Sequence, residues 1–240
     1  MSLPIFYLDT PAGKGAFLTL PEEASRHIVQ VLRMKTGERI RLADGRGQLL
    51  VAAITDDHKK KCTVQVLEAA SVTPPARRIS IGISLLKNNS RLEWFLEKAT
   101  EIGVTEIIPL LCERTERQHF RHDRMNSILI SAMLQSQQAW LPVLHEPVAF
   151  PQLFRLEDIG KIPQRLIAHC EPAEKQSLTA IPGSDTRLLL IGPEGDFTPE
   201  EIALALEHGF VPVSLGETRL RTETAGVVAA ALLKMGSPGQ

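Results

Sequence analysis

Cysteine is scarce in this 240-residue sequence, with only Cys62, Cys112 and Cys170, and no two of them form a CxxC pair. That excludes a disulfide scaffold and a zinc ribbon, and the expectation is three half-buried thiols in a reducing compartment. No run of 18 apolar residues occurs, and Met1–Thr10 lacks the charged-then-apolar design of an export signal. A membrane span is therefore excluded and a cytoplasmic location expected. Aromatic residues make up 5% of the chain, too few for an extended base-stacking platform. The glycine and metal signatures of common enzymes are also missing: GxGxxG after the first strand of the α/β region, GxxxxGK[ST], GxSxG, HExxH and HxE…PCxxC. Dinucleotide oxidoreductases, P-loop ATPases, α/β hydrolases and zinc deaminases thereby lose their main support.

What is present is the composition of an ordinary globular protein, 43% apolar and 23% charged, long enough for one large domain or two modest ones. The net charge of −1 hides an asymmetry: residues 1–73 carry +2, residues 74–125 carry +2, and residues 126–240 carry −5. A localised electrostatic footprint for nucleic acid remains open. Of the 27 basic residues 17 are arginine, whose planar fork suits phosphate.

The first 70 residues predict short strands around one helix. Pro4–Leu8, Phe17–Leu20, Arg39–Ala43, Leu49–Ile54 and Cys62–Ala69 are strand-like. Ala24, Ile28, Val31 and Leu32 give Pro21–Met34 helical spacing. Asp44-Gly45-Arg46-Gly47 between two strands is a hairpin signal. Pro74-Pro75 is stiff and cannot enter a sheet, so the domain boundary is placed here, giving a β-barrel-like module over 1–73 and a second domain over 74–240.

The second domain alternates strands (Ile79–Leu86, Val104–Leu110, Arg165–His169, Arg187–Ile191, Val211–Ser214) with helices. Ser90-Arg91-Leu92-Glu93 and Thr198-Pro199-Glu200-Glu201 read as capping boxes, and Gly103 as a helix terminator. Further helices are expected over Met125–Gln138 and from Thr222 to Met235. Such alternation makes a mostly parallel sheet covered on both faces, whose ligands bind beyond the carboxyl ends of the strands.

That rule selects two loops. Gly192-Pro193-Glu194-Gly195-Asp196-Phe197 follows one strand, and Ser214–Ala225 follows the last strand and enters the last helix. Taken alone, the glycines fit a tight turn as well as a ligand site, and Arg219, Arg221 and Glu223 fit surface ion pairs. Together the loops favour one pocket. Two basic clusters, Arg26-His27 with Arg33 and Lys35, and Arg114, Arg117, Arg121 and Arg124, fit either a solvated face or a phosphate surface. His119 and His122 have no completing ligands, so no metal is assigned.

IGPEGDFTPEEI (Ile191–Ile202) and LGETRLRTETA (Leu215–Ala225) resemble the cofactor loops of SPOUT methyltransferases, most closely the RsmE family. LEWFLEKATEIGV (Leu92–Val104) resembles that family's helix motif, CERTER (Cys112–Arg117) its basic loop, and His27–Gly47 its PUA-like RNA-binding domain. The sequence departs from the family at Asp196, at Glu217-Thr218-Arg219, and at Leu134 and Gln138, where a glutamate and an arginine are usual.

The resemblance implies an α/β fold, with a small PUA-like β-barrel domain preceding a SPOUT-type parallel sheet that ends in a C-terminal trefoil knot. It implies S-adenosylmethionine (SAM) as cofactor, a homodimer, and methylation of N3 of a uridine in 16S rRNA, with rRNA or the assembled small subunit as partner. The cofactor residues it implies are Gly192, Pro193, Glu194, Gly195, Leu215, Gly216, Leu220, Thr222 and Thr224. Arg221 is the first candidate to stabilise charge on the uracil, ahead of Arg219. Glu223 or Glu194 is the candidate base, and Arg26, Arg33, Arg114, Arg117 and Arg121 are candidate phosphate ligands. The alternatives are a non-catalytic RNA-binding assembly factor and a SPOUT enzyme acting on another RNA.

Overall fold

The computed structural model describes residues 3–116, 119–172 and 174–235. Contacts divide the chain into two units, residues 1–74 with 133–141, and residues 75–132 with 142–240. No helix among the described residues is long and apolar enough to cross a membrane.

The first unit holds β1 (Ile5–Tyr7), β2 (Phe17–Thr19), α1 (Glu22–Arg26), β3 (Arg39–Ala43), β4 (Gln48–Asp56) and β5 (Thr63–Ser71). Its sheet runs β1-β3-β4-β5-β2, with β1 parallel to β3 and the other pairs antiparallel. Alternation does the folding: Leu50, Ala52 and Ile54 on β4 and Val64 and Val66 on β5 point inward onto Ile28, Ile40 and Leu42. In the β3–β4 hairpin the Asp44 carboxylate accepts the amides of Arg46 (2.7 Å) and Gln48 (2.9 Å). The chain from Met133 to Leu141 packs here through the Trp140 indole, which donates to the Val72 carbonyl at 3.1 Å.

The helix expected over Pro21–Met34 is not continuous. After α1 the chain widens into a π-helical turn, His27–Val31, and Arg33 takes a left-handed φ of 56°. Ile28 and Met34 both remain buried, while Val31 and Leu32 are exposed. Periodicity of 3.6 assumes an unbroken helix and cannot register the extra residue in a π turn.

In the second unit the elements are β6 (Arg78–Ser84), α2 (Asn89–Ile102), β7 (Glu106–Leu111), α3 (His122–Gln135, whose last turn belongs with the first unit), β8 (Val143–Leu144), β9 (Val148–Ala149), α4 (Phe150–Leu153), α5 (Glu157–Lys161), β10 (Gln164–Ala168), β11 (Gln176–Ser177), β12 (Thr186–Ile191), α6 (Pro199–Glu207), β13 (Val211–Ser214) and α7 (Thr222–Met235). All pairings are parallel, in the order β11-β13-β10-β12-β6-β7-β8, with β9 also on β7. Central β6 and β12 are buried on both faces, as a sheet covered by helices requires.

α7 packs on α2, β6 and β12. A Cβ at Gly226 would lie 2.6 Å from the Phe95 ring, so the two helices meet where α7 has no side chain. Phe150, Leu153, Ile167, Leu188, Leu190, Phe197 and Phe210 form a separate buried cluster.

The capping box at Thr198 is present. Its hydroxyl accepts the Glu201 amide at 3.2 Å, and Glu201 Oε2 accepts the Thr198 amide at 3.0 Å. Gly103 ends α2 with a left-handed φ of 91°. The box expected at Ser90 is absent, because α2 starts two residues earlier. Asn88 caps it by accepting the Ser90 amide at 2.9 Å. Glu93 instead meets the Arg124 guanidinium through two hydrogen bonds.

Candidate functional site

β10, β12 and β13 are adjacent, and all three deliver their carboxyl ends to one edge of the sheet. The loops that follow them close on a cavity of about 710 Å³. One wall is Ile191–Glu194 with Asp196, a second is Val213–Thr222 with Ala225, and a third is Ala168, His169, Cys170 and Lys175.

The wall after β12 is held from beneath. Phe197 is fully buried, 5.1 Å between ring centroids from Phe150, and a Cβ on Gly192 would come within 3.0 Å of Phe197. Arg114 braces the same loop, donating to the Gly195 carbonyl at 2.7 Å. The loop carrying Arg114 is fixed in turn by Thr115, whose hydroxyl accepts the Cys112 amide at 2.9 Å and shares a 2.8 Å bond with Ser84. Glu201 Oε1 accepts the Glu113 amide at 2.8 Å.

On the wall after β13, Gly216 has φ 137°, a conformation that L side chains rarely adopt. A Cβ built there meets nothing within 4 Å, so any side chain would project into open space. Arg219 and Arg221 are both exposed on this wall, and neither has a side-chain hydrogen bond or ion pair among the described residues. Glu223 turns away from the cavity. It is buried, with Oε1 3.6 Å from Arg91 Nε of α2 and Oε2 without a partner among the described residues. The surface ion pairs with Glu223, which the sequence of this loop also allowed for Arg219 and Arg221, are therefore not formed among the described residues.

The third wall was not singled out from sequence, although it follows a strand read as Arg165–His169 and obeys the same strand-end rule. His169 is buried there, and burial first, then the charge of Lys175, holds its imidazole below the usual histidine range. A neutral ring results at physiological pH, with Nδ1 lacking a partner among the described residues. Lys175 Nζ donates to the His169 carbonyl at 2.8 Å.

Of the residues expected at the cofactor, Gly192, Pro193, Glu194, Leu215, Gly216, Leu220 and Thr222 line the cavity, as does Arg221. Gly195 and Thr224 do not line it. Glu194 is exposed and accepts the Lys87 amide at 3.3 Å. Among the candidate phosphate ligands, Arg26 pairs with Glu22, Arg33 and Arg121 are exposed, Arg114 is engaged as above, and Arg117 lies outside the described residues. No cluster of three metal-ligating side chains occurs among the described residues.

Comparison with known proteins gives one consistent picture. Residues 73–234 match the family described as RNA methyltransferase domain, and residues 20–67 match RNA methyltransferase PUA domain. Ribosomal RNA small subunit methyltransferase E of Mycobacterium bovis is 30% identical over 94% of this chain and 88% of its own. A protein described as a "probable rRNA-methyltransferase" from Porphyromonas gingivalis superposes with TM-score 0.87 at 41% identity, covering 95% of each chain. Ribosomal RNA small subunit methyltransferase E of Neisseria gonorrhoeae, solved bound to S-adenosyl methionine, superposes with TM-score 0.84 at 31% identity over 96% of each chain.

Proposed function

Since the chain belongs to the RNA methyltransferase family, in its ribosomal RNA small subunit methyltransferase E (RsmE) branch, we propose that it is a SAM-dependent methyltransferase of 16S rRNA acting on N3 of a uridine. The observation that carries this reading is the cavity at the strand ends, with two unpartnered arginines on one wall.

The cavity fits the cofactor on its own evidence. Its volume suits a nucleoside with an amino-acid tail, and ligand pockets usually span about 300–1,000 Å³. Position 216 leaves open space that a side chain would fill. Gly192, Pro193, Glu194, Leu215, Gly216, Leu220 and Thr222 would hold the cofactor, while Gly195 takes part through its carbonyl, which Arg114 engages. When bound, SAM supplies an electrophilic methyl group on a cationic sulfur.

The chain's own residues prepare the nucleophile. N3 of uridine carries an imide proton on the pairing edge, so the base must be unpaired or flipped out to react. As that proton leaves, charge spreads over N3, O2 and O4. Arg221 donates to those oxygens, with Arg219 second, since neither guanidinium is held in an ion pair among the described residues. Glu194, on the cavity wall, takes the proton. Glu223 reaches the reaction only through Arg91 and α7, as a positioning residue. Arg26, Arg33, Arg117 and Arg121 bind RNA phosphates and make the affinity salt-dependent. Arg114 acts chiefly as a brace of the cofactor loop.

The same reading carries a C-terminal trefoil knot, a homodimer and a cytoplasmic site of action. The half-buried Val227, Val228, Ala231 and Leu232 on α7 support the dimer, because they form an apolar strip that one chain leaves partly uncovered.

The test is incubation with methyl-labelled SAM and small ribosomal subunits lacking base methylation, followed by digestion and identification of the labelled nucleoside. N3-methyluridine at one site is expected. No label despite cofactor binding redirects the search to another RNA, and no binding at all favours an assembly factor. In the same assay Arg221→Ala lowers turnover with cofactor affinity nearly intact. Lost cofactor binding with turnover surviving at saturation would overturn the role given to Arg221.

A further inference from the structure

Asp196 stands in the loop between β12 and α6 with a left-handed φ of 65°, where glycine would carry no strain. Both of its carboxylate oxygens are used. Oδ1 accepts the Phe197 amide at 2.9 Å, and Oδ2 reaches across to the loop after β10, accepting the Cys170 amide at 2.7 Å. Its own amide donates to the Pro193 carbonyl at 2.9 Å.

The two loops joined in this way differ in how they are anchored. The Asp196 loop is fixed by buried Phe197 and by Arg114. The His169–Lys175 loop has the short bond from Lys175 to the His169 carbonyl and the bond from Cys170 to Asp196. Both loops line the cavity, and His169, with its unpartnered Nδ1, sits at the base of the second.

We propose that Asp196 is a positioning residue for the methyl donor: its carboxylate staples the loop after β10 to the loop after β12, so two of the three cavity walls are set before the cofactor arrives. A hydrogen bond donated to a charged acceptor is stronger than one between neutral groups, and a pre-ordered wall spares the cofactor the cost of ordering it. This inference rests on the reading of the cavity as the SAM site.

The test uses the full chain and two variants, Asp196→Gly and Asp196→Asn. Glycine is at home at this φ, so its effect reports the loss of the carboxylate rather than a strained backbone. In Asp196→Gly, exchange of the Cys170 amide followed by NMR accelerates. The dissociation constant for SAM by calorimetry rises about tenfold, equivalent to about 1.4 kcal/mol. KM for the cofactor rises with it, while kcat at saturating cofactor stays within about twofold. Asp196→Asn keeps one carbonyl oxygen for two amides and falls between glycine and wild type. If Cys170 exchange accelerates and cofactor affinity does not change, the staple exists but does not serve the cofactor, and the proposal fails. It fails equally if Cys170 exchange is unaltered, or if only the melting temperature falls. Absence of SAM binding by the wild-type protein overturns the cofactor reading itself, and the proposal with it.

Discussion

Glu201 ties the start of α6 to the loop that carries Arg114. It is buried, its Oε2 accepts the Thr198 amide, and its Oε1 accepts the Glu113 amide of the loop that also carries Arg114. Glu201→Ala leaves two amides without an acceptor. Each such loss costs roughly 1–3 kcal/mol, and removal of a desolvated charge returns part of it, so a net loss of about 3 kcal/mol is expected. In a unit of this size that lowers the melting temperature by roughly 6–12 °C. Thr198→Ala removes only the hydroxyl cap and costs about 1 kcal/mol. Trp94 lies in the second unit and Trp140 in the segment that packs with the first, so thermal unfolding is followed by Trp94 fluorescence in a Trp140→Phe background. The expected order of destabilisation is Glu201→Ala, then Glu201→Gln, then Thr198→Ala. A shift below about 2 °C for Glu201→Ala would refute the reasoning, since such a shift corresponds to less than one amide bond in a domain of this size.

Three further outcomes follow from the geometry. Cys62 and Cys112 are buried, and burial pushes the Cys112 thiol up, whereas Cys170 is exposed on the cavity wall. A maleimide is therefore expected to modify Cys170 alone, with SAM slowing the reaction; peptide mapping that finds Cys62 or Cys112 labelled first contradicts this. Gly216→Val combines an unfavourable φ with a side chain directed into open space, and should weaken cofactor binding about tenfold or more by calorimetry. Glu106 accepts a 2.7 Å bond from His145, which raises the imidazole pKa and lowers that of the carboxyl. The histidine contribution to stability is complete below its unfolded pKa of about 6.5 and is lost as pH rises through the raised folded value. The carboxylate contribution is present above its unfolded pKa of about 4.3 and is lost as pH falls through the lowered folded value. Urea denaturation of wild type should therefore show the pair at full strength between about pH 4.3 and 6.5, and His145→Asn should flatten the loss on the alkaline side.

Local chemistry was legible where the partners are close in sequence. The hairpin at Asp44–Gly47, the left-handed stop at Gly103 and the box from Thr198 to Glu201 each use residues within four positions of one another. What escaped reading was set by tertiary geometry. Glu93 has the spacing of a capping residue, yet Arg124, 31 positions away, competes for it and wins with a two-bond contact. Two-residue strands such as β8, β9 and β11 are too short to carry a period. The third cavity wall follows a strand that was legible, but the contact that ties it to Asp196 runs through the backbone amide of Cys170, and backbone donors leave no trace in residue type.

The arginines at the cavity show the same limit in electrostatic form. Residues 126–240 carry a net −5, which by itself argues against a polyanionic substrate. Within that segment Glu223 is separated from Arg221 by a single residue, so sequence alone offers an ion pair that would neutralise the wall. The first turn of α7 decides otherwise: it turns Glu223 inward onto Arg91 of α2 and leaves Arg219 and Arg221 exposed at the cavity. Net charge counts both carboxylate and guanidinium at full value, whereas a ligand in the cavity meets the unpaired guanidinium groups at close range and the buried carboxylate through the body of the helix. An anionic group in the cavity therefore meets a favourable field at this wall despite the sign of the segment, because the field at a site follows the placement of charges rather than their sum.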